Sequence, residues 1–209
     1  MTQEGNDRAS HWQNVYRSRS PESVSWYQPR LVLSLELLTA AGLSAASRLI
    51  DVGGGASTLV DAMLDLGVRA VTVLDVSEEA LAQARNRLGE RAQVVTWYVG
   101  DVLGLSLPQA GFDFWHDRAV MHFLTDPADA ARYAQAAAAA LSVGGHALIA
   151  GFAPDGPKRC SDLPVARRSA EDIAAIFAPA FALVRQRTER HRTPAGAEQS
   201  FVYTLLRRR

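Results

Sequence analysis

The chain of 209 residues contains a single cysteine, so no disulfide can form within it. That excludes a small fold stapled by disulfides and sets the expectation of a reducing, cytoplasmic setting. Excess charge is missing too. Lys and Arg total 22, Asp and Glu also total 22, and the net charge is zero. Nothing in that balance favours a nucleic acid or an anionic membrane as partner. The basic clusters Arg167-Arg168 and Arg207 to Arg209 read as solvated surface. Long apolar runs are also absent. The longest, Ala136 to Leu141, falls far short of the roughly 20 residues a spanning helix needs. No stretch resembles a signal peptide, and no internal repeat is visible. An apolar share of 48% over this length fits one globular domain spanning 1–209.

The most informative stretch is 48–58, Arg-Leu-Ile-Asp-Val-Gly-Gly-Gly-Ala-Ser-Thr. Leu49, Ile50 and Val52 end a buried strand. Gly53, Gly54 and Gly55 form a turn that no bulky side chain could follow. Ser57 and Thr58 then open a helix through Leu59, Val60, Met63, Leu64 and Leu66. Strand, glycine turn and helix begin a βαβ unit, where a nucleotide-like ligand lies against backbone amides. Asp51 decides which ligand. A dinucleotide fingerprint sets a pyrophosphate at the helix N-terminus, and a carboxylate beside it would repel. The last glycine of that fingerprint is moreover replaced by Thr58. A ligand carrying an ammonium and a sulfonium would be attracted, which disfavours an NAD-dependent oxidoreductase and points to S-adenosylmethionine.

Two further strand ends carry acids. Ala70 to Leu74 is a second buried strand ending in Asp75-Val76, and an acid about twenty residues past the glycines can accept both ribose hydroxyls. Ser77 caps the next helix. Val94 to Val99 make a third strand leading into Gly100-Asp101-Val102, where Asp101 can accept the adenine amino group and Val102 pack its ring. All three acids fall on the carboxyl edge, where open α/β sheets bind ligands. A fourth strand, Gly111 to Trp115, runs into His116-Asp117-Arg118-Ala119-Val120-Met121-His122-Phe123-Leu124. Asp126-Pro127 starts an alanine-rich helix to Leu141. Ser142 to Gly145 turns into a fifth strand, His146 to Phe152. Residues 153–168 are a loop holding Cys160, and Ser169 caps another helix. Phe181 to Arg190 and Gln199 to Leu206 pair as an antiparallel hairpin.

At the other end, residues 1–10 are polar and expected to fray. Trp12, Tyr16, Trp26 and Tyr27 follow, interrupted by the helix-breaking Pro21. Residues 1–30 read as an aromatic lid whose ring faces attract a cation, or as rings packed on the sheet. A helix from Leu31 to Ala41 then begins the core, 31–209.

Together these motifs resemble the class I S-adenosylmethionine-dependent methyltransferases, from about Leu31 to the end. The resemblance rests on Leu49-Ile-Asp-Val-Gly-Gly-Gly-Ala-Ser, Val73-Leu-Asp-Val-Ser, Gly100-Asp-Val, Phe112-Asp-Phe-Trp-His-Asp-Arg and Leu141-Ser-Val-Gly-Gly. Within the superfamily the chain looks like the small stand-alone bacterial methyltransferases, which names no substrate. The resemblance implies a Rossmann-like α/β fold: a seven-stranded, mostly parallel sheet with a C-terminal antiparallel hairpin and helices on both faces. It implies S-adenosyl-L-methionine as cofactor. Asp51, Gly53, Gly54, Gly55 and Ser57 would hold the methionine moiety, Asp75 and Val76 the ribose, and Asp101 and Val102 the adenine. His116, Asp117 and Trp26 would stand alongside.

A substrate pocket would draw on Trp26, Tyr27, Cys160 and His191. Where the acceptor must lose a proton, His116, His122 and His191 are the candidate bases, with Asp117 as a partner. His122, between Met121 and Phe123, also reads as a packed, hydrogen-bonded histidine. No CxxC or HxxxH spacing suggests a metal. The expected acceptor is a small molecule. A protein lysine is the alternative, and a non-catalytic S-adenosylmethionine-binding module is the reading from a different class. The fourth strand lacks the Asn/Asp-Pro-Pro-Tyr type motif of amino-directed DNA methyltransferases, so no nucleic-acid partner is expected, and no membrane partner either.

Overall fold

The computed structural model describes residues 3–209, with side chains from Arg8 onward. Met1 and Thr2, part of the stretch expected to fray, lie outside the described residues. The strands are β1 (Arg48–Val52), β2 (Ala70–Asp75), β3 (Val95–Val99), β4 (Phe112–Arg118) and β5 (Leu141–Phe152). A small separate hairpin, β6 (Arg159–Cys160) with β7 (Leu163–Pro164), precedes β8 (Phe181–Arg192) and β9 (Glu198–Arg208). The seven-stranded sheet runs in the order β3-β2-β1-β4-β5-β9-β8. Its first five strands are parallel, and β9 and β8 close it antiparallel.

Strands covered on both faces must be apolar on both. Leu49 and Phe114 pack against helices α2 (Val32–Ala40), α3 (Leu59–Asp65) and α4 (Glu78–Leu88). Ile50, Val52 and Trp115, one residue over, pack against α5 (Pro127–Ala140) and α6 (Ala170–Phe177). The helix starts follow from local chemistry. Ser77 Oγ accepts the Ala80 amide at the head of α4. Asp126 accepts the Ala128 amide ahead of Pro127, and Ser169 and Asp172 form a reciprocal capping box.

Three segments differ from the sequence-based expectation. β4 continues three residues past Trp115, so His116, Asp117 and Arg118 are strand residues. β5 starts at Leu141, and the expected Ser142–Gly145 turn is absorbed as an irregularity opposite Phe112 and Phe114. The polar N-terminus forms helix α1 (Gln3–Ser18) instead of fraying. Tertiary contacts hold it: Gln13 Oε1 accepts from the Ser77 hydroxyl at 2.9 Å and the Glu79 amide at 3.2 Å, and Gln83 donates to the Tyr16 carbonyl at 2.7 Å.

One buried polar chain ties α5 to the sheet. Trp115 and Tyr133, both fully buried, meet edge to face with ring centres 5.5 Å apart. Trp115 Nε1–H donates to the Tyr133 hydroxyl at 2.9 Å, and that hydroxyl donates onward to Asp117. Replacing Tyr133 with Phe strands the indole N–H in an apolar core. The expected cost is about 1–3 kcal/mol of stability, read as a lower urea midpoint at unchanged slope.

Candidate functional site

The parallel register sets Asp51 of β1 directly beside His116 of β4. Side chains alternate along a strand, so Asp51 and His116 share the face covered by α2. There His116 Nδ1 meets Asp51 Oδ1 at 2.7 Å, and His116 Nε2 meets the Ser34 hydroxyl of α2 at 2.9 Å. Asp51 is 2% exposed and His116 1%. The other carboxylate oxygen, Asp51 Oδ2, is buried with no protein partner.

The glycine turn keeps that oxygen clear. A Cβ on Gly54 would stand 2.6 Å from Asp51 Oδ2 and 2.7 Å from Val73 Cγ1. Gly53 has φ +66, and its amide donates to the Leu74 carbonyl at 2.7 Å, which folds the turn back onto β2. Thr58 is the N-cap of the short α3 but its side chain makes no cap bond; Ser57 Oγ, one residue earlier, accepts the Leu59 amide at 3.1 Å instead. At the end of β2, Asp75 accepts the Ser77 amide at 2.8 Å. Burial pushes its carboxyl up to about 7, with the charge of Asp51 adding to the rise. Asp101, past β3, accepts the Leu103 amide at 2.9 Å and faces Arg8 of α1 at 3.6 Å.

Two adjoining cavities open on this edge, of about 810 and 500 Å³. Asp75, Val76, Asp101, Val102 and Cys160 line the larger; Asp51, Gly54, Ser57, His116 and Tyr27 line the smaller; Gly53 and Trp26 border both. α1 and residues 24–28 form the roof. Trp12 packs edge-on against Trp26 at 5.5 Å and Phe123 at 5.1 Å, and Tyr16 meets Trp26 at 6.4 Å.

Arg118, which sequence reasoning left without a role, also borders both cavities. Its Nη1 donates to the Trp26 carbonyl at 2.7 Å and its Nε to the Tyr203 hydroxyl at 3.0 Å. The guanidinium lies 4.5 Å over the Phe201 ring and 3.8 Å from Glu189. Its Nη2 is buried without a hydrogen-bond partner. The signal was present in principle, since Arg118 lies two residues past His116 and so on the same face of β4. Ending that strand at Trp115 hid it. Arg8 was likewise not assigned to the site, whereas Trp12 and Tyr16 belong to the expected aromatic lid, and they line the larger cavity.

Gly55 lines neither cavity; its amide is part of the turn beneath Asp75. Three other candidates are not brought to the cavities. Asp117 faces α5, on the opposite side of β4 from His116, and accepts the Val120 amide at 2.8 Å, the Met121 amide at 2.9 Å and the Tyr133 hydroxyl. It shapes the turn and cannot serve as the partner of His116. His122 borders a separate small cavity with Gly151 and Arg168, packed on Phe123 at 4.3 Å and Phe152 at 4.8 Å. Neither ring nitrogen has a partner, against the expected hydrogen-bonded ring, and burial drives it down to about 3. It stays neutral and lies away from the site. His191 sits within β8 and not in a turn. Its Nε2 donates to the Ser25 carbonyl at 2.7 Å, and its Nδ1 stands 3.3 Å from Gln28 Nε2, so it clamps the roof instead of lining a cavity.

Comparison with known proteins bears on this arrangement. The model of a methyltransferase-domain family matches residues 49–145, from β1 to the irregularity in β5. A curated relative, the eEF1A lysine and N-terminal methyltransferase of Mus musculus, is 26% identical over 119 residues; the match covers 56% of this chain and only 17% of that protein. A structure from work on converting a disulfide bond into a thioacetal group during echinomycin biosynthesis aligns with TM-score 0.75 at 22% identity, over 96% of this chain and 92% of that one. The Burkholderia thailandensis 1,6-didemethyltoxoflavin-N1-methyltransferase, with its substrate and S-adenosylhomocysteine bound, aligns at 0.68 and 21% identity, over 98% and 90%. The N-methyltransferase NodS of Bradyrhizobium japonicum, in complex with S-adenosylhomocysteine, aligns at 0.68 and 19%, over 85% and 84%. At such identities the structural likeness is one of fold. The family match assigns residues 49–145 to a methyltransferase domain, and the fold that carries it is the Rossmann-like one these structures share.

Proposed function

We propose that this chain transfers the methyl group of S-adenosylmethionine to a small-molecule acceptor, and that the residues on the carboxyl edge hold the cofactor. The observation that carries the cofactor's orientation is the pair of unsatisfied buried groups at the smaller cavity. Asp51 Oδ2 has no donor, and Arg118 Nη2 makes no hydrogen bond, its nearest carboxylate being Glu189 at 3.8 Å. An α-amino acid tail brings one of each, an ammonium and a carboxylate, so it satisfies both. Asp75 then faces the ribose hydroxyls, with Asp101 and Val102 at the adenine.

The cofactor supplies a methyl group already activated on a positively charged sulfur. The chain's own task is to align the acceptor and exclude water. Trp12, Tyr16, Trp26 and Phe123 provide apolar walls, and Cys160 completes the lining. These side chains are poor bases. Burial and the charge of Asp75 raise the Tyr16 hydroxyl far above neutrality, and burial pushes the Cys160 thiol up to about 11. Both ring nitrogens of His116 are occupied. The acceptor therefore arrives with its own lone pair available. A small acceptor is favoured because the larger cavity is roofed by α1 and residues 24–28. The lysine reading keeps one support: aromatic walls also suit a cationic side chain. Labelled methyl donor, added with the chain to a cell extract, separates the two. Label in the small-molecule filtrate supports the first reading, and label retained on protein supports the second.

Two measurements test the cofactor site. Replacing Gly54 with Ala drives a methyl group into Asp51 and Val73, and replacing Asp51 with Asn removes the charge. Each should weaken S-adenosylhomocysteine at least about tenfold by calorimetry, which corresponds to about 1.4 kcal/mol. Unchanged affinity in both would sink the assigned pose. The pH dependence follows from Asp75. Ribose hydroxyls donate to the ionised carboxylate, and below about 7 the group carries a proton that must leave first. Affinity should therefore rise with pH, by at most about tenfold per unit, and level off above about 7. Replacing Asp75 with Asn should flatten that profile.

A further inference from the structure

We propose that His116 is a positioning residue for the cofactor's amino-acid tail, acting through Asp51, and takes no part as a base. This rests on the cofactor pose above and deepens it. An ionised carboxylate can only accept, so His116 Nδ1 must carry the hydrogen shared with Asp51 Oδ1 at 2.7 Å. In the neutral ring, Nε2 then holds the lone pair, and it receives the Ser34 hydroxyl hydrogen at 2.9 Å. A serine at that place matters. A second acid there would favour the imidazolium, whose charge would cancel that of Asp51. A hydroxyl binds Nε2 without adding a charge of its own beside the pair, so no second anion competes with Asp51 for the ring.

The same contact sets direction. Holding Oδ1 on the imidazole fixes the plane of the carboxylate and leaves Oδ2 as the atom without a partner. Gly54 keeps a side chain out of that space. Three elements thus converge on one carboxylate: α2 through Ser34, β4 through His116, and the glycine turn. His116 borders the smaller cavity, but neither ring nitrogen is free to take a proton from an acceptor.

Two ligands test this by their difference. S-adenosylhomocysteine carries the amino-acid tail, and 5′-methylthioadenosine keeps the adenosine and thioether but lacks it. Replacing His116 with Leu should weaken S-adenosylhomocysteine at least about tenfold and 5′-methylthioadenosine by less than about twofold. In His116→Asn the amide nitrogen stands near the place of Nδ1 and can still donate to Asp51, so most of the lost affinity should return. His116→Gln reaches toward Ser34 instead and should not rescue. Equal weakening of both ligands, no weakening of either, or rescue by Gln and not by Asn overturns the proposal. A urea midpoint for each variant shows whether it is folded, and the Asn variant keeps the test decisive if the Leu variant is not. Failure of the unaltered chain to bind S-adenosylhomocysteine would count against the cofactor pose itself, separately from the role of His116.

Discussion

A carboxylate buried at the end of a central strand must be satisfied, or it costs several kcal/mol of desolvation. Asp51 is the constraint around which this fold is arranged. One of its two oxygens is bonded within the protein, by His116 across the sheet. The other is buried without a partner beside Gly54, where a Cβ would stand 2.6 Å away. The fold therefore carries an unmet electrostatic demand at the centre of its carboxyl edge. A cationic group of the right size meets it, and a phosphate does not. Burial deepens the effect by lowering the screening that water would supply.

Much of this was legible in the sequence because it is written in local patterns. β1, β2 and β3 announce themselves as short apolar runs ending in Asp51, Asp75 and, one turn on, Asp101. The caps at Ser77, Asp126-Pro127 and Ser169 are type-specific signals and fall where expected. The antiparallel closure followed from a connection only eight residues long. The glycines were also legible, although their reasons differ. Gly53 needs a positive φ, whereas Gly54 needs the absence of a Cβ next to Asp51.

What was not legible depends on parity and on long-range contact. Composition cannot say that β4 extends through His116, Asp117 and Arg118, because polar residues in a row look like a loop. Once they are in a strand, alternation separates them. His116 and Arg118 turn to the cavity face, and Asp117 turns to α5 and the Tyr133 hydroxyl. The sequence-based pairing of His116 with its neighbour Asp117 was therefore geometrically barred. Its true partner, Asp51, lies 65 positions away and is reached only through the parallel register. The N-terminal helix was missed for a related reason. Its apolar positions are few, Trp12, Val15 and Tyr16 in an otherwise polar stretch, and its order comes from burying Val15 and Tyr16 and from hydrogen bonds through Gln13 and the Tyr16 carbonyl to α4 and its cap.

The same alternation bears on how the roof, built in two parts, is fastened. Residues 25–28 are tied to the sheet at three places: the Ser25 carbonyl to His191, the Trp26 carbonyl to Arg118, and Gln28 to Glu189 at 3.0 Å. His191 is buried, the Arg118 side chain is 7% exposed, and Arg118 is further held by Phe201 and Tyr203, so this strap is tied to the interior. α1 is fastened differently. Its charged contacts, Arg8 to Asp101 at 3.6 Å and Arg17 to Glu79 at 4.0 Å, involve partly exposed side chains. Such pairs contribute little and weaken with salt. The attachment of α1 rests instead on its three hydrogen bonds to the α4 end, from the Ser77 hydroxyl and Glu79 amide to Gln13 and from Gln83 to the Tyr16 carbonyl, and on the buried side chains of Val15 and Tyr16.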